Sequence, residues 1–470
     1  MKAQKTLLLR YAQWLIVPII VASYLLLVLL PDFRTAVPEL LGITALIILM
    51  LYATLYAGEQ GAVSWSPHFI LLVAAIVRLL FLFRPAELSD DIYRYLWDGL
   101  QLINGNNPYS LAPAYVHPNS AMLTELRQRV NHPDLVTIYP PSAQLIFLAG
   151  AALYKSILGI KAVVAVLDLA ACYLIIRLLH DMRLPAWRSI LYAWNPLTVI
   201  ETAASGHIDA AGLFFFLVSI LLLTNASTDT AALLVNKHPS TVFKSRLQAA
   251  VSGLAFSCAV LIKLVPLIFL PGLLILAEKS RRLFFISGFA AGIFILTVPF
   301  LPPLQNMFNT VSIYARNWEF SGLAFRLLRN LVSSGSIARI VLLSVFTVVC
   351  LFLYIRLKRK AGLSADMGGS VLTSALYIVS LSFLICTPTL HPWYVLYLVI
   401  FLPFTLNVAG LALSWSIFLA YHVIIAYFYL GRWVENDYVS ALIWSVPLSV
   451  YLLTGAARRL VSSPTTLLSE

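Results

Sequence analysis

Charge is scarce in this chain. Its 470 residues include 32 Lys and Arg and 20 Asp and Glu, 11% in all, where a soluble globular domain carries about 25%. That scarcity excludes an ordinary water-soluble fold, and a 60% share of hydrophobic residues points to an integral membrane protein. Long polar stretches are missing as well, which leaves no room for a soluble core and argues for one membrane domain. Cysteine is also rare: Cys172, Cys258, Cys350 and Cys386 each fall in an apolar run, with no CxxC and no histidine at metal spacing. They read as small buried hydrophobes, and no metal is expected. No nucleotide-binding motif is present. The formal net charge of +12 comes in short clusters without interleaved aromatics, which argues against nucleic acid and for membrane topology.

Hydrophobic runs long enough to cross a bilayer are expected near 11–30, 38–57, 66–83, 160–179, 188–204 and 208–225. Others fall near 247–264, 266–279, 283–300, 338–355, 370–388, 393–409, 411–430 and 440–456. Lys2, Lys5 and Arg10 precede the first run, and no small-residue cleavage site follows it, so it reads as a retained span. The run 141–158 is ambiguous, and the basic residues decide it. If it lies in the outer leaflet, Arg177/Arg183/Arg188, Lys237/Lys244/Arg246, Lys279/Arg281/Arg282, Arg356/Lys358/Arg359/Lys360 and Arg458/Arg459 all share the cytoplasmic side. The expected fold class is therefore all-α and polytopic, with 12–14 spans, and residues 84–159 form one large extracytoplasmic loop. A second outer loop covers 301–337.

Acids are few, yet "ELSDDIYRYLWDG" (87–99) holds four of them. Ser89, Asp90 and Asp91 make a good helix start, a serine cap followed by acids where the macrodipole favours them. Beyond the cap, Asp91, Tyr95 and Asp98 share one helical face and Tyr93 and Trp97 an adjacent one. Acids beside aromatics suit a sugar site at a membrane surface. Arg94 can pair with Asp90 or Asp98. "NGNNPYS" (104–110) and "IYPPS" (138–142) are turn chemistry. Lys263 ends a hydrophobic run on the outer side, either snorkelling or awaiting an anionic partner such as a lipid phosphate. "WNPLTVIETAASGHIDA" sets Glu201, His207 and Asp209 at an outer turn, where Asp209 could simply cap the next helix. "TPTLHPWYVLYL" does the same for His391, Trp393 and Tyr394, where an aromatic belt would suffice.

In this order "SDDIYRYLWDG", "NNPYS", "YPP", "LDLAACYLIIRLL", "WNPLTVIETAASGHIDA", "IKLVPLIFLP" and "HPWYVLYLVIFLP" resemble the GT-C superfamily of membrane glycosyltransferases. They are most similar to bacterial polyprenyl-phosphate-mannose-dependent mannosyltransferases and to the catalytic subunit of the first GPI mannosyltransferase. The resemblance covers roughly 66–409, with extra spans in 1–65 and 410–470. It implies a polyprenyl-phosphate-linked hexose donor, a lipid-linked or glycan acceptor, membrane lipids as surroundings, and inversion at the anomeric carbon. It also implies a catalytic acid at the start of the first outer loop, which maps to Asp90. The related family's second acid falls two positions on, where this chain has Ile92 and offers Asp91 instead. The expected roles are Asp90 as base with Asp91 as partner or alternate, and Lys263, with Arg316, against the leaving phosphate. Tyr93, Arg94, Trp97, Asp98, His207, Asp209, His391 and Trp393 would shape the sugar and acceptor site. A bacterial cytoplasmic membrane is the expected location. Glucose or pentose transfer remains an alternative, as does a lipid or glycolipid transporter, although no internal repeat is visible and the polar residues avoid the midplane.

Overall fold

The computed structural model describes residues 2–118, 120–233, 239–361 and 369–462. Lys237 lies outside them, as do the side chains of Lys2, Lys5, Lys360, Arg458 and Arg459. Among the described residues the regular structure is helical, apart from isolated bridges that join Phe320 and Ser321 to Thr389. Among the same residues, eight helices are long and apolar enough to cross a membrane. The pair Pro196–Ala204 and Asp209–Thr224, bent by 115°, makes a ninth if counted as one crossing. Four more apolar helices have 10–17 residues; with Pro141–Leu153 set aside, the lower end of the expected 12–14 is reached only when the bent pair and the other three are all counted as crossings.

The expected spans at 188–204 and 393–409 are broken into short pieces: Ala186–Ser189, Ile190–Ala193, Pro196–Val199 and a π turn Ile200–Ala204, then Pro392–Val395, Leu396–Val399 and Leu402–Thr405. Pro196, Pro392 and Pro403 stand at the starts of such pieces because each lacks an N–H and clashes with the preceding turn. Both stretches are buried almost throughout, the condition under which irregular backbone is tolerated at membrane depth.

The first three helices are α1 (Lys2–Leu29), α2 (Val37–Glu59) and α3 (Pro67–Leu82). Arg84, just past α3, donates to the carbonyls of Val28 and Leu30 at 2.8 and 2.7 Å and pairs with Glu87 at 2.8 Å. It thus gathers the ends of α1 and α3 at one face. Residues 84–156 follow on that face as α4 (Asp91–Ile103), α5 (Ala121–Arg129) and α6 (Pro141–Leu153), before α7 (Ile157–Asp181) re-enters the bundle. At 13 residues, α6 is about 20 Å long, too short to cross. It packs on α4 instead, where Tyr95 stacks on Phe147 with centroids 4.5 Å apart. Gly99 makes that approach possible, since a Cβ there would sit 2.3 Å from the Phe147 carbonyl oxygen. Gly99→Ala is expected to cost about 1 to 3 kcal/mol in thermal unfolding, because rigid backbone must give way; an unchanged midpoint would mean that α4 is free to shift.

The second loop closes over the first. Asn107 of "NNPYS" donates to the Phe300 carbonyl at 3.0 Å, and Asn306 donates to the Tyr109 carbonyl at 2.9 Å. What reads as turn chemistry therefore also docks one loop on the other. Helix polarity puts the described members of the basic clusters, from Arg177 to Arg359, at the face opposite the loops.

Inside the bundle lies a group of charges for which the sequence suggested no role, although Asp168 falls in the block "LDLAACYLIIRLL". Arg78 of α3 and Asp168 of α7 are 1% and 0% exposed and meet at 2.6 Å. Tyr192 donates to the other Asp168 oxygen at 2.7 Å, Thr202 donates to the first at 3.0 Å, and Arg78 reaches the Ala193 carbonyl at 2.8 Å. Burying two charges is costly unless their remaining donors and acceptors are filled, and here the backbone breaks around Pro196 supply the partners. The four cysteines are free; Cys172 is buried and the others half-buried.

Candidate functional site

Helix α4 presents the two acids differently. The cap contact comes from Ser89, whose hydroxyl accepts from the Asp91 amide at 3.2 Å, while the Asp90 side chain makes no cap bond. Neither acid is therefore needed to start the helix. Asp90 is exposed and lies towards Arg34, in the turn between α1 and α2. Its carboxyl is held above the usual range, mainly by the surrounding protein and then by the charge of Asp91, with Arg34 opposing. Asp91 is half-buried, accepts from Asn131 at 2.7 Å, and lies close enough to Tyr139 and His391 to act on both. Of the two acids, Asp91 faces the bundle.

What it faces is built from three segments. The turn after the π segment carries His207 and Asp209, and it fits against α4 at Gly206, which has φ 76° and no space for a Cβ beside Ile92. Asp209 is fully buried and takes Lys263 with both oxygens at 2.9 Å. It therefore serves as a counter-ion rather than only as a helix cap. Lys263 keeps 16% of its side chain exposed, and its ammonium lies 4.6 Å from the Tyr394 ring centre and 5.9 Å from that of Trp393. His207 stacks on the Trp393 ring at 3.8 Å, and His391 stacks on Trp393 at 4.3 Å with the planes 5° apart. Phe320, from the second loop, continues the stack against His391 at 4.9 Å. Burial in this wall holds the His391 imidazole down to about 3, with Asp91 opposing and Lys263 and His207 adding to the shift. The ring is neutral at physiological pH and can donate or accept one hydrogen bond.

Two carboxylates thus each hold a nitrogen-bearing side chain within nine residues of chain. Asp209 holds Lys263, while Glu201 lies 2.9 Å from His207 Nδ1 and accepts from Tyr421 at 2.7 Å. The Nε2 of His207 is buried without a hydrogen-bond partner. Glu201 was visible in the sequence at an outer turn, but its role depends on the π turn that aims it and on Tyr421, more than two hundred positions away. Asn131 had no signal beyond ordinary loop composition, and Tyr139 stood in the "YPP" block with no role in the site expected of it.

The other expected site residues lie elsewhere. Arg94 and Asp98 are buried and pair with each other at 3.1 Å; Arg94 also donates to the Leu135 carbonyl and Gln144 to Asp98. Together they tie α4 to the segment leading into α6. Trp97 is 2% exposed in the same small core. Tyr93, two positions from Asp91 and so on nearly the opposite side of α4, faces a separate cleft with Arg129 and Lys161. Arg316 is exposed on the helix Gln305–Asn317. Tyr314 of that helix, again two positions away, makes the contact instead, 3.1 Å from the Tyr394 hydroxyl. Helical periodicity separates these neighbours, so only one of each pair can face the cluster.

A carboxylate that can accept a proton, an ammonium held beside aromatic faces, and a wall of stacked rings suit group transfer to a hydroxyl from an anionic leaving group. Comparison with known proteins agrees with that class. The model of glycosyltransferase family 87 matches residues 137–388, a stretch that holds Glu201, His207, Asp209 and Lys263. No curated protein and no solved structure matches the chain. With more than half of its length inside that match, the chain belongs to glycosyltransferase family 87, a family of GT-C type membrane glycosyltransferases.

Proposed function

We propose that the protein is an inverting hexosyltransferase that moves mannose from a polyprenyl-phosphate carrier to a hydroxyl of a lipid-linked or glycan acceptor. The reaction takes place on the extracytoplasmic face of a bacterial cytoplasmic membrane. The observation that carries this reading is the Lys263–Asp209 pair beside the His391–Trp393 stack where the spans end, with the charge of Asp91 acting on His391. A lipid-anchored donor holds its phosphate at that depth, whereas a freely diffusing donor would not need a site so close to the bilayer. The basic clusters at the opposite face support the extracytoplasmic assignment.

The acceptor oxygen attacks the anomeric carbon, and the bond from that carbon to the phosphate oxygen breaks with its electron pair going to phosphate. Asp91 takes the acceptor proton. Lys263 offsets the charge growing on the leaving phosphate, and neutral His391 is placed to donate to it. Asp209 keeps Lys263 in position, and the Trp393 ring, fixed between two imidazoles, offers a face edge for the sugar. A transporter reading would require an exchangeable charge near the midplane, but Arg78 and Asp168 are fully partnered and enclosed.

The test is transfer of labelled sugar in reconstituted vesicles from polyprenyl-phosphate mannose, polyprenyl-phosphate glucose and a nucleotide sugar. Product and free polyprenyl phosphate are expected in equal amounts from the mannose donor. Lys263→Gln is expected to lower kcat/KM about 10²-fold, with Lys263→Arg partly restoring it. Transfer from the nucleotide sugar alone would overturn the donor assignment, and preference for the glucose donor would change only the sugar.

A further inference from the structure

On the side of α4 away from Asp91, a cleft of about 260 Å³ opens between the end of α3, the end of α5 and the first turns of α7. Its apolar wall is Leu82, Phe83, Ile157 and Leu158, and its polar wall is Tyr93, Arg84, Arg129 and Lys161. Phe83 is 73% exposed, at the level where α3 leaves the bundle, so the apolar wall runs directly into the bilayer.

The charges in the cleft do not balance. Arg84 is committed to Glu87. Lys161 is 1% exposed, and its ammonium donates to the carbonyls of Phe81 and Arg84; among the described residues no carboxylate lies within ion-pair distance of it. Arg129 reaches over the Tyr93 ring at 5.5 Å, and its acidic partner among the described residues is Glu125, 3.1 Å away on the solvent side with 69% of its side chain exposed. The acid whose charge reaches the Lys161 ammonium, Glu87, is already paired with Arg84, so the two cations share one carboxylate and the buried ammonium is short of negative charge. An outward guanidinium next to it lies in the right place to share an anion.

We propose that this cleft is a site for the phosphate diester of an anionic phospholipid, with Lys161 and Arg129 as the cationic partners and the acyl chains along Phe83, Ile157 and Leu158. The shape selects a lipid over a free anion, because half of the wall is apolar and continuous with the membrane. The bound headgroup braces the back of α4, whose front carries Asp91. This site is separate from the Lys263 cluster and does not depend on the donor assigned there.

The experiment is native mass spectrometry of the full chain in detergent, titrated with phosphatidylglycerol or phosphatidylcholine, with and without inorganic phosphate. Wild type is expected to retain phosphatidylglycerol several-fold better than phosphatidylcholine. Arg129→Gln is expected to weaken phosphatidylglycerol retention about fivefold without altering phosphatidylcholine, and Arg129→Lys to restore most of it. Because Arg129 is exposed, these changes leave the fold intact. Equal retention of the two lipids, or no effect of Arg129→Gln, overturns the proposal. Displacement by millimolar inorganic phosphate alone overturns the lipid assignment in favour of a free-anion site.

Discussion

Asp91→Asn is expected to lower the rate of sugar transfer by about 10² to 10⁴-fold, while Asp90→Asn stays within about tenfold of wild type, the range left to an indirect electrostatic effect. Asparagine keeps the size of aspartate and still accepts from Asn131, so the packing of α4 should survive and the loss would report proton acceptance. The two acids differ in what they face: Asp91 acts on Tyr139 and His391, whereas Asp90 lies towards Arg34. The measurement is the initial rate in reconstituted vesicles at matched protein, with the unfolding midpoint recorded in parallel. If Asp90→Asn abolished transfer and Asp91→Asn did not, the first acid would be the base and Asp91 its partner, the order that the sequence resemblance favours.

The second large effect lies in the bundle. Asp168→Ala is expected to destabilise the protein by about 3 to 5 kcal/mol, because it leaves the Arg78 guanidinium as an unpaired charge in a low-dielectric interior. Replacing both members with apolar residues of similar volume, as in Arg78→Met with Asp168→Leu, should cost much less than the single change. Denaturant or thermal unfolding in detergent measures both. A single-variant loss below about 1 kcal/mol would mean that water reaches the pair and that the enclosure is incomplete. Thr202, which donates to Asp168, is next to Glu201 in the π turn. Weakening the pair should therefore also loosen the Glu201–His207 contact and slow transfer in the molecules that remain folded.

The helical membrane class was legible from composition, since nothing else accommodates so little charge. That the run 141–158 does not cross is expected because the basic clusters leave one consistent threading, and the structure gives a helix of 13 residues there, Pro141–Leu153. Less visible were the broken segments: hydropathy counts apolar residues and does not see that Pro196 or Pro392 ends a helix which the surrounding protein then shelters. Of the expected site residues, the structure brings together those at chain reversals, His207, Asp209, Lys263, His391 and Trp393. Arg94, Asp98 and Arg316 did not join them, since charge type reveals that a residue needs a partner but not which one it takes. Arg94 finds Asp98 one helical turn away. Asn131 and Tyr421 come to the cluster through tertiary packing alone, and no local pattern marks them.

The contact from Tyr421 to Glu201 bears on how the chain can be divided. The family match stops at residue 388, before His391, Trp393 and Tyr421, and it begins after Asp91. A fragment cut to the matched region would keep the Asp209–Lys263 pair and the Glu201–His207 contact while losing Asp91, the rings beside them and the hydroxyl that steadies Glu201. The proposed catalytic unit is thus not a cassette that can be excised or transplanted by its family boundaries. Chimeras with other members should exchange the first loop, the 201–263 turns and the helices after 390 together, because each carries one side of the same cluster.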